Sequence, residues 1–180
     1  MANTNAPFGF QPTMRTRSGA AGSLMSCNKI AGYGTALFIH DAVTHAASGT
    51  LATPAIDANI TPGTTPVLGV NLIYGAASTA TNHSIVMADG AIFIVQGDGT
   101  GSTYLVAASM NKNANIALTA GNTSLLTSKH ELSETSIATT NTLDLRIRGL
   151  VQNPNNALGQ YAQVFVTFNN LVEANQEAGI

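Results

Sequence analysis

Charge is what this sequence has least of. Lys, Arg, Asp and Glu make up 9% of its 180 residues, against roughly 25% in an ordinary globular chain. A compact body of this mass exposes roughly 8,000 Å², and seven basic and nine acidic side chains are thin cover for it. Much of the surface is therefore expected to face other protein. Seven unclustered basic residues also make a poor footprint for nucleic acid, whose phosphates dominate such binding. Cys27 is the lone cysteine, which excludes an internal disulfide framework and an all-cysteine metal site. Tryptophan is absent and tyrosines number four, so the aromatic platforms that commonly hold sugars are scarce. No apolar run approaches a membrane span, the longest being Ala91 to Val95. The start Met1-Ala2-Asn3-Thr4-Asn5 has no apolar stretch behind it of the kind a secretory signal carries. The expectation is a protein assembled in a cytoplasm, with no membrane and no nucleic acid among its partners.

What is present is a two-residue rhythm. Hydrophobic residues make up 44% of the chain, enough to exclude general disorder. Leu143, Leu145 and Ile147 alternate with Asp144, Arg146 and Arg148, the pattern of a strand with one dry and one wet face. After the breaker cluster 152–159, Val164, Val166 and Phe168 share one face of a second strand, and Phe165 takes the other. That strand is expected to be covered on both sides and central, and the short connection makes the pair antiparallel. From Ile30 onward, turn signals punctuate short apolar runs: Gly32-Tyr33-Gly34, Ser48-Gly49, Pro62-Gly63, Asp89-Gly90, Asp98-Gly99 and Gly121-Asn122. Met87 to Ile92 reads as a tight hairpin, since Asp-Gly supplies the positive φ such a turn needs.

The expected fold is all-β: an antiparallel β-barrel or β-sandwich with an extended N-terminal arm and at most one or two short helices. The candidate helices are Thr103 to Lys112 and Leu171 to about Glu177, the latter capped by Asn170. The divisions are an arm over 1–25, a body over 26–170 and a tail over 171–180. The arm holds prolines and glycines without period. Residues 1–40 carry Arg15, Arg17 and Lys29 and no acid, whereas the rest of the chain is net acidic. Pro7, Phe8, Phe10, Arg15 and Arg17 are thus the candidate partner-binding residues, gripping a neighbouring subunit; a frayed terminus is the alternative.

Candidate chemistry is sparse. Gly97-Asp98-Gly99-Thr100-Gly101 lacks the third glycine and the later acid of a dinucleotide fingerprint, and reads as a turn. His40, Asp41 and His45 offer two nitrogens and a carboxylate, but at no familiar zinc spacing. Cys27 has Lys29 nearby, a cation that would lower its pKa slightly, but it reads better as a lone small residue where the arm meets the body. No Gly-x-Ser-x-Gly elbow accompanies the serines. Glu131 and Glu134 lie in a Ser/Thr-rich loop and read as solvated surface. Arg146 and Arg148, with Asp144, read as an inter-subunit ion pair or a solvated strand face. No catalytic residue, cofactor or metal is expected.

A family resemblance rests on soft motifs spread over most of the chain. Asn5-Ala6-Pro7-Phe8-Gly9-Phe10, Leu68-Gly69-Val70, Ala91 to Gln96, and Leu145 to Val151 with Pro154-Asn155-Asn156-Ala157 resemble small structural proteins of tailed-bacteriophage virions. Ala31-Gly32, His40-Asp41-Ala42-Val43, Ser48-Gly49 and Leu68-Gly69-Val70 are similar to the β-barrel of phage head decoration, or cement, proteins. Those proteins commonly carry Gly-Asp where this chain has His40-Asp41. The resemblance implies a non-enzymatic homotrimer on the virion surface, bound across subunits of the major capsid protein. A receptor- or glycan-binding β module of a phage tail or fibre, using Tyr33, Tyr74 or Tyr104, is the alternative.

Overall fold

The computed structural model of the protein describes residues 3–16, 22–30, 32–46, 54–100, 104–172 and 179, and of 14–16 the backbone. Among the described residues twelve strands follow in order: β1 (Gln11–Thr16), β2 (Leu24–Lys29), β3 (Ala42–His45), β4 (Ala55–Asp57), β5 (Gly69–Asn71), β6 (Thr81–Met87), β7 (Ala91–Gln96), β8 (Asn113–Ala114), β9 (Ile116–Ala117), β10 (Glu131–Leu132), β11 (Leu145–Leu150) and β12 (Gln163–Phe168). The helical elements among the described residues are two single 3-10 turns, Ala107–Ser109 and Glu134–Ser136. The first is what the expected helix over Thr103 to Lys112 becomes. Of the expected C-terminal helix, residues 173–178 lie outside the described residues, and Leu171 bridges to Val67 instead of starting a helical turn.

Two β layers organise the chain. β2-β4-β3-β5-β6 close into a barrel, with β2 and β4 parallel and the other pairs antiparallel. β1-β7-β12-β11-β8 form an antiparallel sheet in which β12 is the middle strand, as its two-sided apolar pattern predicts. β11 and β12 pair in register Leu145↔Phe168 to Leu150↔Val164, with an irregularity between Ile147 and Gly149. β9 and β10 make a separate two-stranded ribbon.

Alternation along the barrel strands builds two cores. Val43 and Ile85 join Leu37, Ile56 and Leu68 in one. Their neighbours Ala42 and Val86 turn the other way and join Phe93, Val95, Ile147, Val164 and Val166 from the open sheet. One face of the barrel is thus sealed by the sheet, and each large apolar side chain enclosed there stabilises by about 1.5–3 kcal/mol relative to exposure.

Three local expectations need correction. Asp89-Gly90 does make a turn, with Gly90 at φ +64°, but not a hairpin. β6 pairs with β2 and β5 and β7 with β1 and β12, so the turn carries the chain from the barrel to the sheet. Residues 11–16 and 24–25 of the expected arm are strand, with Pro12 on edge strand β1, where a missing N–H is tolerated. Asp144, expected on the wet face, is fully buried. Its carboxylate accepts from the amides of Gly63 (2.9 Å) and Ile116 (3.2 Å) and from Asn170 Nδ2 (3.4 Å), tying three distant segments together.

Candidate functional site

The seam between barrel and sheet gathers most of the polar chemistry. His40 sits just before β3 at φ +72°, a left-handed conformation uncommon outside glycine. Its amide donates to Asn71 O (2.8 Å), its carbonyl accepts from Phe10 N (3.0 Å), and its Nδ1 lies 3.2 Å from Phe8 O. The N-terminal segment is therefore docked on its own body. Phe10 is fully buried, 5.0 Å from the ring of Phe168. Gly9 (φ +77°) passes so close that a Cβ would meet Ser128 Cβ and the His40 carbonyl. Further out, Asn3 Nδ2 donates to the carbonyls of Ala157 and Gln160 (both 2.8 Å), and Gln96 grips Thr4 and Ala6.

Of the five candidate partner-binding residues, Phe10 is therefore core, which corrects its expected place against a neighbouring subunit. Phe8 and Pro7 are half-buried, Arg15 is described by its backbone in β1, and Arg17 lies outside the described residues.

Behind His40, Asp41 and His130 are buried together, with His130 Nε2 3.6 Å from Asp41 Oδ1. Asp41 also accepts from Phe38 N (2.7 Å) and bonds Ser128, while the Ala42 amide points at His130 Nδ1 (3.4 Å). Burial pushes the aspartate pKa up and the histidine pKa down, and their mutual attraction opposes both shifts. One imidazole nitrogen faces the Ala42 amide and the other the Asp41 carboxylate, so the arrangement clamps the 121–130 loop to β3. His45 is exposed at the end of β3, apart from this pair, and among the described residues no group of three His, Cys, Asp or Glu could hold a metal ion.

Glu131 and Glu134 overturn the expectation of a solvated pair. They are 8% and 0% exposed, and burial, with Asp98 adding repulsion, pushes each pKa to about 7. The Gly97–Asp98–Gly99 turn supplies the other wall: Asp98 Oδ1 accepts from Glu134 N (3.1 Å) and Thr100 N (3.2 Å). Nothing in the local sequence marked these glutamates, because the groups that enclose them lie some thirty residues upstream.

Cys27 is a small enclosed residue, and the slight lowering of its pKa by Lys29 does not hold. It lies in β2, 1% exposed, and burial raises its pKa to about 11, outweighing any effect of Lys29. Lys29 is itself enclosed, donating to Tyr33 O (3.3 Å) and Thr79 O (3.2 Å). Arg146 and Arg148 lie half-buried on β11, Arg148 Nε donating to Thr167 Oγ1 at 3.0 Å. Of the tyrosines, Tyr33 is buried, Tyr74 packs on Phe38 (5.7 Å) and Tyr104 is exposed.

The surface shows a different kind of candidate. Five of the sixteen charged side chains (Lys29, Asp41, Glu131, Glu134 and Asp144) are buried, leaving at most eleven for 8361 Å². Residues 113–128 carry no charge at all, and within them Leu118, Leu125 and Leu126 are 41%, 69% and 37% exposed. The loop is tightly built around Asn122, whose Oδ1 accepts from the amides of Ser124 (2.9 Å) and Leu125 (3.1 Å). Its backbone is tied by Asn122 N to Thr127 O (2.7 Å) and Ile39 N to Leu126 O (3.0 Å). Leu126 sits at φ +58°, a conformation that costs a leucine about 1 kcal/mol or more. Two leucines are thus held toward solvent by a hydrogen-bonded frame.

Fold and surface together define an all-β protein with a closed five-stranded barrel, a covering sheet and a charge-poor exterior. Comparison with protein-family models, curated proteins and solved structures finds no match.

Proposed function

We propose that the protein is a virion structural protein, a decoration or cement protein that binds across major capsid protein subunits of a tailed bacteriophage and stabilises the head. The observation that carries this reading is the surface: at most eleven charged groups over 8361 Å², with a hydrogen-bonded, uncharged loop presenting Leu125 and Leu126. Such a surface gains by being covered, since apolar area removed from water stabilises by about 25 cal/mol per Å². His40 adds support. Its left-handed backbone is a place glycine fills without strain, and glycine is the residue the resembling proteins commonly carry there.

The protein acts as a homotrimer on the capsid surface. Weak contacts repeated around a symmetric oligomer attach it firmly through effective concentration. The test joins native mass with co-sedimentation on heads of the phage that encodes the chain. The expected results are a particle of three times 18.5 kDa that pellets with the heads, and a folded Leu125→Asp variant that does not. A monomer that stays in the supernatant overturns the proposal.

A further inference from the structure

We propose that Glu131 and Glu134, packed beside Asp98, form a proton-held latch that docks the β9–β10 ribbon on the five-stranded sheet and loosens the ribbon when the two glutamates lose their protons. The ribbon reaches the sheet through a parallel bridge between Leu132 and Gly97 and a bond from Asp98 N to Leu132 O (2.9 Å). Leu132 and Ile116 sink into the main core at 0% and 2% exposure. On either side of Leu132, the two glutamates are buried as well.

Glu131 Oε1 and both Glu134 carboxyl oxygens are buried without a hydrogen-bond partner of normal geometry. The Leu105 amide approaches Glu134 and offsets only part of the cost of burial. Gly97 makes the room: a Cβ there would run into the Glu134 carboxyl. An ionised carboxylate in such a place is costly, whereas a protonated one carries no charge to desolvate.

Among the described residues, the elements that supply the cluster each add an acid, and β8, which packs on the Glu134 turn, is itself uncharged, with Lys112 just before it. Glu131 comes from β10, Glu134 from the 3-10 turn and Asp98 from the 97–99 turn, while the 104–106 stretch brings no charge. Lys129 precedes Glu131 by two residues but makes no ion pair with it, and His130 faces Asp41. Among the described residues, no cation offsets the three carboxyls.

The direction of the effect follows from linkage. The two glutamates are raised from 4.5 to about 7, so their contribution to docking is full below about pH 4.5 and is lost as pH rises through about 7. If the opened ribbon restores the ordinary value, opening between about pH 6 and about pH 8.5 becomes easier by about tenfold per carboxyl and about a hundredfold for both. Burial lowers the pKa of His40, His83 and His130, which favours their neutral forms in the folded protein.

The experiment is amide hydrogen exchange of Ile116, Ala117 and Leu132, corrected for intrinsic rate, on the full chain and on Glu131→Gln, Glu134→Gln and the double variant. Carboxyl-carbon NMR titration of the wild type accompanies it. The expected result is protection that falls from about pH 6 to about pH 8.5 in the wild type, by about tenfold less in each single variant, with glutamate midpoints near 7. Protection independent of pH in the wild type, or an undiminished fall in the folded single variants, overturns the latch. Midpoints near the ordinary 4.5 overturn it even if no variant folds.

Discussion

Truncating Phe10 decides whether the N-terminal segment belongs to this chain's own core. The ring is fully enclosed, 5.0 Å from Phe168 and 6.5 Å from His130, and the backbone at Phe8 O and Phe10 N is held by His40. A buried phenylalanine removes roughly 150–250 Å² from water. Most of that area is lost with the ring, worth about 3 kcal/mol at about 25 cal/mol per Å². A residual cavity adds to this, as core Phe→Ala changes cost about 3–5 kcal/mol overall. We therefore expect Phe10→Ala to destabilise by about 4 kcal/mol. With a urea slope of about 2 kcal/mol per molar, the unfolding midpoint falls by about 2 M. The assay is urea unfolding followed by circular dichroism, at one protein concentration because oligomers stabilise by mass action. Phe8→Ala, at a half-buried site, serves as the comparison and should cost about 1 kcal/mol. A loss below about 1 kcal/mol at Phe10 refutes the reasoning, because that is what an arm resting on neighbours instead of its own sheet would give.

At His40, Ala and Gly both lose the imidazole contact with Phe8, but only Ala keeps the left-handed penalty. His40→Gly should therefore be more stable than His40→Ala by about 1 kcal/mol in the same urea assay; equal stabilities would refute the strain. Gly9→Ala should destabilise by more than about 1 kcal/mol, since the new methyl meets both Ser128 and the His40 carbonyl. Cys27, with its pKa pushed up to about 11 and 1% exposed, should not react with a thiol reagent at about pH 8 until denaturant is added. Fast labelling of the native protein would refute that placement.

Several features were readable from spacing because local alternation encodes a two-faced surface. Leu145 and Ile147 against Arg146 and Arg148, and Val164 and Val166 against Phe165, announced β11 and a central β12. His40-Asp41 stood out as a polar pair, though its work is to hold the N-terminal segment and the 121–130 loop. Other features misled for a common reason. Asp89-Gly90 marks a turn, but turn chemistry does not say whether the strands beside it pair, and here they belong to different sheets. Glu131 and Glu134 look solvated among serines and threonines until Gly97 and Asp98 are brought against them.

The sequence by itself determined the class: a charge-poor, all-β chain with short strands, since composition and period act through neighbours a few residues apart. Only the tertiary structure decided that β2 closes the barrel against β6, that Phe10 is core, and that Asp144 and two glutamates are buried. Each of those outcomes depends on groups far apart along the chain meeting in space. Burial free energy, unlike a turn or a strand propensity, belongs to the meeting and not to either residue alone.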